Sequence, residues 1–135
     1  MPSHKIRPTP GELEILRVLW DRGPLSVREA QRILDLEKPT GYTTVLKLLQ
    51  IMTDKGLVAR DESVRPQIYR PAIPREQTQR QLLGDLVQKA FGGSVKELVL
   101  QALAGRASSP KELAEMEQLL DRMEARNSGR KGSSK

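Results

Sequence analysis

Apolar residues recur at intervals of three and four through most of the first 56 positions, which is the spacing of an amphipathic helix. The stretch "GYTTVLKLLQIMTDKG", residues 41–56, shows the pattern most fully. Its apolar face consists of Val45, Leu48, Leu49 and Met52. Two earlier stretches, residues 9–22 and 26–35, follow the same spacing. The pattern predicts three consecutive helices, with the third at 41–55.

Capping boxes mark the starts of helices in this chain, each a Ser or Thr followed three residues later by Glu. They begin at Thr9, Ser26 and Ser109, and Pro10 occupies the favoured first position of the first helix. Gly56 is placed to end the third helix in the left-handed conformation. These signals predict where the first, second and last helices begin and where the third ends.

The apolar period changes after residue 56. The segments "LVARDE" (57–62) and "QIYRP" (67–71) are short and partly alternating, as strands are, and the "SVRP" between them has turn residues and an arginine. They predict a two-stranded hairpin with a basic tip. Three helices followed by a hairpin is the order of a winged helix-turn-helix domain, which we assign to residues 8–73.

The segment "PAIPRE", residues 71–76, interrupts regular structure with two prolines and marks a joint. Three more helices are expected after it: one over 77–91, one capped by Ser94, and the last from Ser109. The predicted fold is therefore mainly α with a small β-hairpin. Residues 75–125 would form a C-terminal three-helix dimerisation domain.

Dimerisation is expected because each of these three helices carries an apolar stripe that a unit of about 50 residues cannot bury alone. Two copies would cover the stripes across a twofold axis. The alternative is that the stripes pack back onto the chain's own N-terminal domain, but the prolines favour separate units. The expected interface residues are Leu82, Leu86, Phe91, Val95, Leu98, Val99, Leu103, Leu113, Met116, Leu120 and Met123.

The charge of the chain favours a polyanionic partner, either nucleic acid or an acidic membrane surface, since the net charge is +6. Residues 1–74 carry 12 basic and 9 acidic side chains, whereas residues 75–125 carry 7 and 8. No stretch approaches the roughly 18 apolar residues of a membrane span, and the N-terminus lacks a signal peptide's apolar core. We therefore expect a soluble, cytoplasmic protein with no membrane partner, and disordered tails at 1–7 and 127–135.

Catalytic and metal chemistry find little support in the composition. The chain has no cysteine and a single histidine, His4, close to the N-terminus. Disulfides, metal sites and cofactors are therefore not expected. No nucleophile has a neighbouring base to activate it, so the chain is not expected to be an enzyme.

In a helix-turn-helix the second helix lies in the major groove, so residues 41–55 would be the recognition helix. Its polar face holds threonines, a lysine and a glutamine, with Asp54 near the far end. The hairpin would contact the DNA backbone or the minor groove. Each polar residue alone is more often a solvated surface residue, and the order of elements carries the prediction. The expected DNA-binding residues are Tyr42, Thr43, Thr44, Lys47, Gln50, Arg60, Arg65, Gln67 and Arg70.

The function expected from these features is homodimeric, sequence-specific transcriptional regulation. The protein would bind double-stranded DNA at a palindromic operator and repress by occluding a promoter, until an unknown signal releases it. Winged-helix domains also bind proteins, so the alternative is an interaction adaptor without sequence-specific DNA binding.

The chain resembles the penicillinase repressor family of BlaI, MecI and CopY type over about residues 8–123. The stretch from Glu12 to Trp20 resembles the family's first helix, and "YTTV" with "KGLV" resembles its recognition helix and exit. "AFGGSVKELV" and "SPKELAEMEQLL" resemble its dimerisation region. The resemblance implies a winged-helix head, a helical dimerisation tail and a palindromic operator.

The chain also departs from the family. Many members carry Thr and Arg where this chain has Lys47 and Ile51, so their operator sequence does not carry over. The copper-sensing branch has a C-terminal cysteine cluster that is absent here, which disfavours a copper role. In the β-lactam branch a membrane sensor protease, a candidate partner here, leads to cleavage at an Asn-Phe bond. The matching position in this chain is Gln101–Ala102.

Overall fold

The computed structural model describes residues 6–105 and 109–133, with side chains described up to residue 126. The helices and strands are, in chain order, α1 Pro10–Arg22, α2 Val27–Asp35, α3 Tyr42–Lys55, β1 Val58–Asp61, β2 Ile68–Pro71, α4 Arg75–Ala90, α5 Val95–Ala104 and α6 Pro110–Ser133. The expected fold class, mainly helical with one small hairpin, is confirmed.

All three capping boxes form as the sequence predicts. The Thr9 hydroxyl accepts from the backbone N–H of Glu12, whose carboxylate accepts from the Thr9 N–H. Ser26 and Ser109 make the same reciprocal bonds with the glutamates three residues later. Each box satisfies two backbone donors that the first turn of a helix otherwise leaves unpaired. At the other end of α3, Gly56 adopts the left-handed conformation at φ 83°, as expected.

The hydrophobic core lies where α1, α2 and α3 meet and is closed by the hairpin. Its buried members are Ile15, Leu16 and Leu19 of α1, Val27 and Ala30 of α2, Val45, Leu49 and Met52 of α3, and Leu57, Val58 and Tyr69 of the hairpin. Leu48, on the predicted apolar face of α3, is only partly buried and packs at the edge of this core. The rest of the α3 surface is left for solvent or a partner.

The hairpin is attached to the helices by backbone hydrogen bonds. β1 and β2 pair antiparallel, with Arg60 opposite Tyr69. The segment before α2 pairs with β2 through one β-bridge, since Leu25 N–H donates to the Tyr69 carbonyl at 3.0 Å and Tyr69 N–H donates to the Leu25 carbonyl at 2.8 Å. A two-stranded hairpin alone is marginally stable, so this bridge and the buried Tyr69 hold it in place.

The chain forms two compact units, the first ending at Leu82 and the second beginning at Leu83. The sequence places the boundary earlier, between domains at 8–73 and 75–125. The first two turns of α4 belong to the first unit, and Thr78 in them is buried, with an exposure of 4%. The proline segment forms the connection between β2 and α4.

In the second unit, α5 and α6 pack together, and the Lys96 ammonium lies 2.7 Å from the Asp121 carboxylate. Gly92 and Gly93, both with positive φ, separate α4 from α5, and the Ser94 hydroxyl caps α5. These breaks and caps match the sequence prediction.

The tails differ from expectation. Residues 127–133 continue α6 as helix instead of being disordered, since no proline interrupts 111–133 and each added helical residue gains a backbone hydrogen bond. At the N-terminal end, Ile6 packs against the core and the Arg7 carbonyl accepts from Lys55, so residues 6–7 are held as well. Residues 1–5, with His4, and residues 134–135 lie outside the described residues.

Candidate nucleic-acid interface

The outward face of α3 is polar and exposed over its full length. Thr43, Lys47 and Gln50 lie on one stripe, because residues four and seven positions apart return to the same face of a helix. Thr44 and Ile51 flank this stripe, and Ile51 is 38% exposed. Asp54 lies on the same stripe in the last turn, so the acid is confined to the C-terminal end of the face.

The N-terminal end of α3 has free hydrogen-bond donors. Its cap residue is Gly41, which has no side chain to accept a bond from the first turn. The first intrahelical bond runs from the Val45 N–H to the Gly41 carbonyl, so the N–H groups of residues 42–44 precede the ladder. Helix N-termini of this kind favour anions such as phosphate.

Arg28 joins this end of α3, and the sequence prediction missed it. Its guanidinium lies 4.6 Å from the centroid of the Tyr42 ring, in a cation–π stack between the first turns of α2 and α3. Arg28 is exposed, and Tyr42 is 39% exposed. The second capping box could have indicated this position. Its cap is Ser26, so Arg28, two positions later, lies in the first turn of α2.

The hairpin does not present all of its predicted contacts on one side. Residues paired across a sheet share a face, so Arg60 lies on the face of buried Tyr69, whereas Arg70 shares the opposite face with Ala59. A hydrogen bond to the Tyr69 side chain, and then the Glu62 carboxylate 3.2 Å away, raise the pKa of Arg60. Arg60 is therefore already paired with an acid of the hairpin. All three arginines, Arg60, Arg65 in the turn and Arg70 on β2, are exposed.

A cavity of about 220 Å³ lies where the starts of α2 and α3 meet the hairpin. Its lining includes Arg28, Tyr42 and Gln67, which come from α2, α3 and the hairpin. The remaining lining residues are Ser26, Val27, Leu46, Pro66 and Tyr69. No carboxylate lines it, so the cavity has a positive edge and an apolar floor.

The position of α3 is fixed at both ends. Before it, the Gln31 side-chain amide donates to the Thr40 carbonyl at 2.9 Å, and the Thr40 N–H donates to the Asp35 carboxylate at 2.8 Å. In its last turn, the Lys55 ammonium lies 2.6 Å from the buried Glu12 carboxylate of α1. A helix held in this way keeps its exposed face in one orientation, which pre-organises a binding surface.

The second unit offers a different kind of surface. Among the described side chains of α5 and α6 none is fully buried, although both helices carry long apolar stripes. Leu86, Val95, Met116 and Met123, all in the expected interface, are 44–50% exposed. The other predicted interface residues, Leu82, Phe91, Leu98, Val99, Leu103, Leu113 and Leu120, are partly buried. Gln101 and Ala102, at the family's cleavage position, are exposed and lie within α5.

Within residues 6–105 and 109–133, no group of His, Cys, Asp or Glu has the arrangement of a metal site. In the same part of the chain, no helix is long and apolar enough to cross a bilayer.

Comparison with known proteins identifies the family. A family model described as penicillinase repressor matches residues 8–122. The chain is 20% identical to the penicillinase repressor of Staphylococcus aureus over 121 residues, which cover 90% of this chain and 96% of the relative. It is 29% identical to the transcriptional regulator BlaI of Mycobacterium tuberculosis (strain ATCC 25618 / H37Rv) over 93 residues, 67% of each chain. With its winged helix-turn-helix unit and helical C-terminal region, the chain belongs to the penicillinase repressor family of DNA-binding transcriptional regulators.

Proposed function

We propose that the protein is a homodimeric repressor that binds a palindromic operator through α3 and blocks a promoter. The observation that carries the proposal is the α3 face, where Thr43, Lys47 and Gln50 are exposed together. The opposite side of the helix buries Val45, Leu49 and Met52 in the core. A helix of this kind fits the major groove. Lys47 can donate to guanine acceptors, Gln50 can pair with adenine, and threonine can meet a thymine methyl group.

Contacts outside the groove would set the position of the protein on the duplex. The free N–H groups at the start of α3 and the Tyr42 hydroxyl are suited to phosphate oxygens. Arg65 and Arg70 are exposed on the hairpin, where they can reach the adjacent backbone. Such contacts give affinity that depends on salt and carry no sequence information themselves.

Dimerisation is supported by the second unit. Half-exposed apolar side chains at four positions of the expected interface would be costly in water, and a second copy provides a matching surface. Two linked heads raise the effective concentration of the second head once the first has bound. Half-sites about one helical turn apart, or slightly more, follow from this geometry.

The test begins with selection of duplexes from a random library by the purified protein, followed by binding measurements with the selected duplex and a shuffled version. We expect an enriched palindrome, a preference for it of at least about a thousandfold, and a steep dependence on salt. An unenriched library and no retarded band at low salt would overturn the proposal and favour the interaction adaptor.

A further inference from the structure

We infer that the cavity between α2, α3 and the hairpin is the seat of one DNA backbone phosphate, in which Arg28 is the cation and Tyr42 and Gln67 are the neutral donors. The inference rests on the proposed DNA binding and adds a residue, Arg28, whose role is to position the duplex. It gives α2 a contact with DNA, whereas the proposed function assigns DNA contacts only to α3 and the hairpin.

The stack between Arg28 and Tyr42 leaves both groups able to bind an anion. The Arg28 guanidinium carbon lies 4.6 Å from the centroid of the Tyr42 ring, so the contact uses the ring face. The tyrosine hydroxyl lies at the ring edge, and a guanidinium carries five N–H donors, so both groups keep donors for an anion. Stacking also restricts the arginine rotamers, so less entropy is lost when a phosphate binds. A planar guanidinium is well suited to bind phosphate through two parallel hydrogen bonds.

The cavity beside Arg28 is lined by no acidic side chain. None of its lining residues is Asp or Glu. The acid next to Arg28 in the chain, Glu29, directs one carboxylate oxygen to the backbone N–H of Ser26 at 2.9 Å and does not line the cavity. Arg28 therefore differs from Arg60, which is already paired with Glu62. Its cation–π partner, Tyr42, leaves the positive charge of Arg28 to be balanced by an external anion.

Gln67 closes the cavity from the hairpin side. It is partly buried at the end of the turn, one residue before β2, and lines the same cavity as Tyr42. Its side-chain amide supplies a donor from a third element. A phosphate bound here would contact the start of α2, the start of α3 and the hairpin at once, which fixes the register of the α3 face against the bases.

The occupant is a phosphate of the duplex rather than a free anion because the cavity adjoins the exposed face of α3. Tyr42, which lines the cavity, is the first residue of α3 and immediately precedes Thr43 on that face. A phosphodiester carries a single charge, which one arginine matches. The free phosphate ion would have to compete with the many linked contacts of the duplex.

The test compares Arg28→Gln and Tyr42→Phe with the wild type and with Arg17→Gln, which makes the same charge change on α1. Arg17 lines a separate cavity with Ile33 and Glu37, close to the C-terminal end of α2. Binding is measured at several salt concentrations with the duplex that the wild type selects and with its shuffled version. Tyr42→Phe keeps the stacking ring and removes only the hydroxyl.

For Arg28→Gln we expect a loss of about tenfold per half-site on both duplexes, because it removes a charge-assisted contact to phosphate. The slope of log affinity against log salt should fall by about 0.9 for each half-site, or about 1.8 for the homodimer. Tyr42→Phe should lose about threefold per half-site, and the double variant should lose less than the product, because the two groups share one ligand. Arg17→Gln should match the wild type, and melting temperatures should establish that every variant is folded.

A duplex with single neutral methylphosphonate substitutions locates the contact. One position in each half-site should weaken wild-type binding and leave Arg28→Gln binding almost unchanged. If the wild type selects a duplex but Arg28→Gln behaves as Arg17→Gln does, the phosphate seat is wrong and the proposed function stands. If the wild type itself prefers no duplex, the proposed function fails, and the phosphate seat fails with it.

Discussion

The carboxylate of Glu12, at the start of α1, lies 2.6 Å from the ammonium of Lys55, at the end of α3. The Glu12 side chain is 3% exposed and the Lys55 side chain 32%. The same carboxylate oxygen accepts from the Thr9 N–H, and the Lys55 ammonium also donates to the Arg7 carbonyl at 3.3 Å. One ion pair therefore connects the N-terminal segment, α1 and the C-terminal end of the helix that we propose reads DNA.

Glu12→Gln should destabilise the first unit, because it leaves a partly buried ammonium without its counter-charge. We expect a loss of about 1–3 kcal/mol in the free energy of unfolding, measured by urea denaturation at pH 7. Glu14→Gln is the matched control on the same helix. Its partner, Lys38, is 3.2 Å away and both side chains are well exposed, so the loss should be under about 1 kcal/mol. Equal effects of the two changes would contradict this account of Glu12.

The contribution of Glu12 should also depend on pH. Burial alone raises the pKa of its carboxyl, but hydrogen bonds from Lys55 and Thr9 outweigh burial and hold the pKa below the ordinary value of 4.5. A carboxyl with a lowered pKa stabilises the folded state above its unfolded pKa, and this stability is lost as the pH falls through the folded value. The stability difference between wild type and Glu12→Gln should be constant above about pH 5 and shrink below pH 4.5. A stability difference between the two proteins that grows as the pH falls would contradict a lowered pKa for Glu12.

Lys47→Ala tests whether the centre of the α3 face reads bases. If Lys47 donates to guanine, binding to the selected duplex should weaken by about 1–3 kcal/mol, with a smaller loss on the shuffled duplex. If it contacts phosphate alone, both duplexes should lose affinity equally. Lys89→Ala, a change of an exposed lysine on α4, is the control and should leave sequence preference intact. Fluorescence anisotropy over a range of salt distinguishes these outcomes.

Leu86→Glu combined with Met123→Glu tests the dimer. Both side chains are about half exposed in the single chain, at 48% and 50%, so the charges should be tolerated by the fold and rejected by an apolar interface. We expect a dimeric wild type and a monomeric variant in sedimentation equilibrium at micromolar concentration. Leu36→Glu, at an 82% exposed position outside the stripes, should remain dimeric. A variant that sediments as the wild type does would exclude these two residues from the interface.

Local features of the fold could be predicted because neighbouring residues determine them. A capping box needs only Thr9 and Glu12, three positions apart, and the left-handed Gly56 needs only its own missing side chain. The apolar spacing of α3 likewise predicted the burial of Val45, Leu49 and Met52. For the same reason the exposed face of α3 could be proposed in advance.

Features that join distant parts of the chain could not be predicted. Glu12 and Lys55 are 43 positions apart, and each alone has the pattern of a solvated surface charge. The stack of Arg28 on Tyr42 depends on the angle between α2 and α3, which no periodicity specifies. Arg60 and Arg70 lie on opposite faces of the hairpin because of the register in which the two strands pair. The sequence predicts the ends of the strands only approximately, and a shift of one residue would exchange the faces. The continuation of α6 to Ser133 was missed because a Gly- and Ser-rich composition favours disorder.

The bridge between Leu25 and Tyr69 uses main-chain atoms, so the hairpin is held against the segment before α2 by bonds that any residue except proline can make at position 25. The side chains of α3 that we propose meet the duplex take no part in this bridge, so they can be exchanged without altering it. On that proposal, the protein can acquire a new target site by changing a few residues of α3 while the attachment of the hairpin is retained.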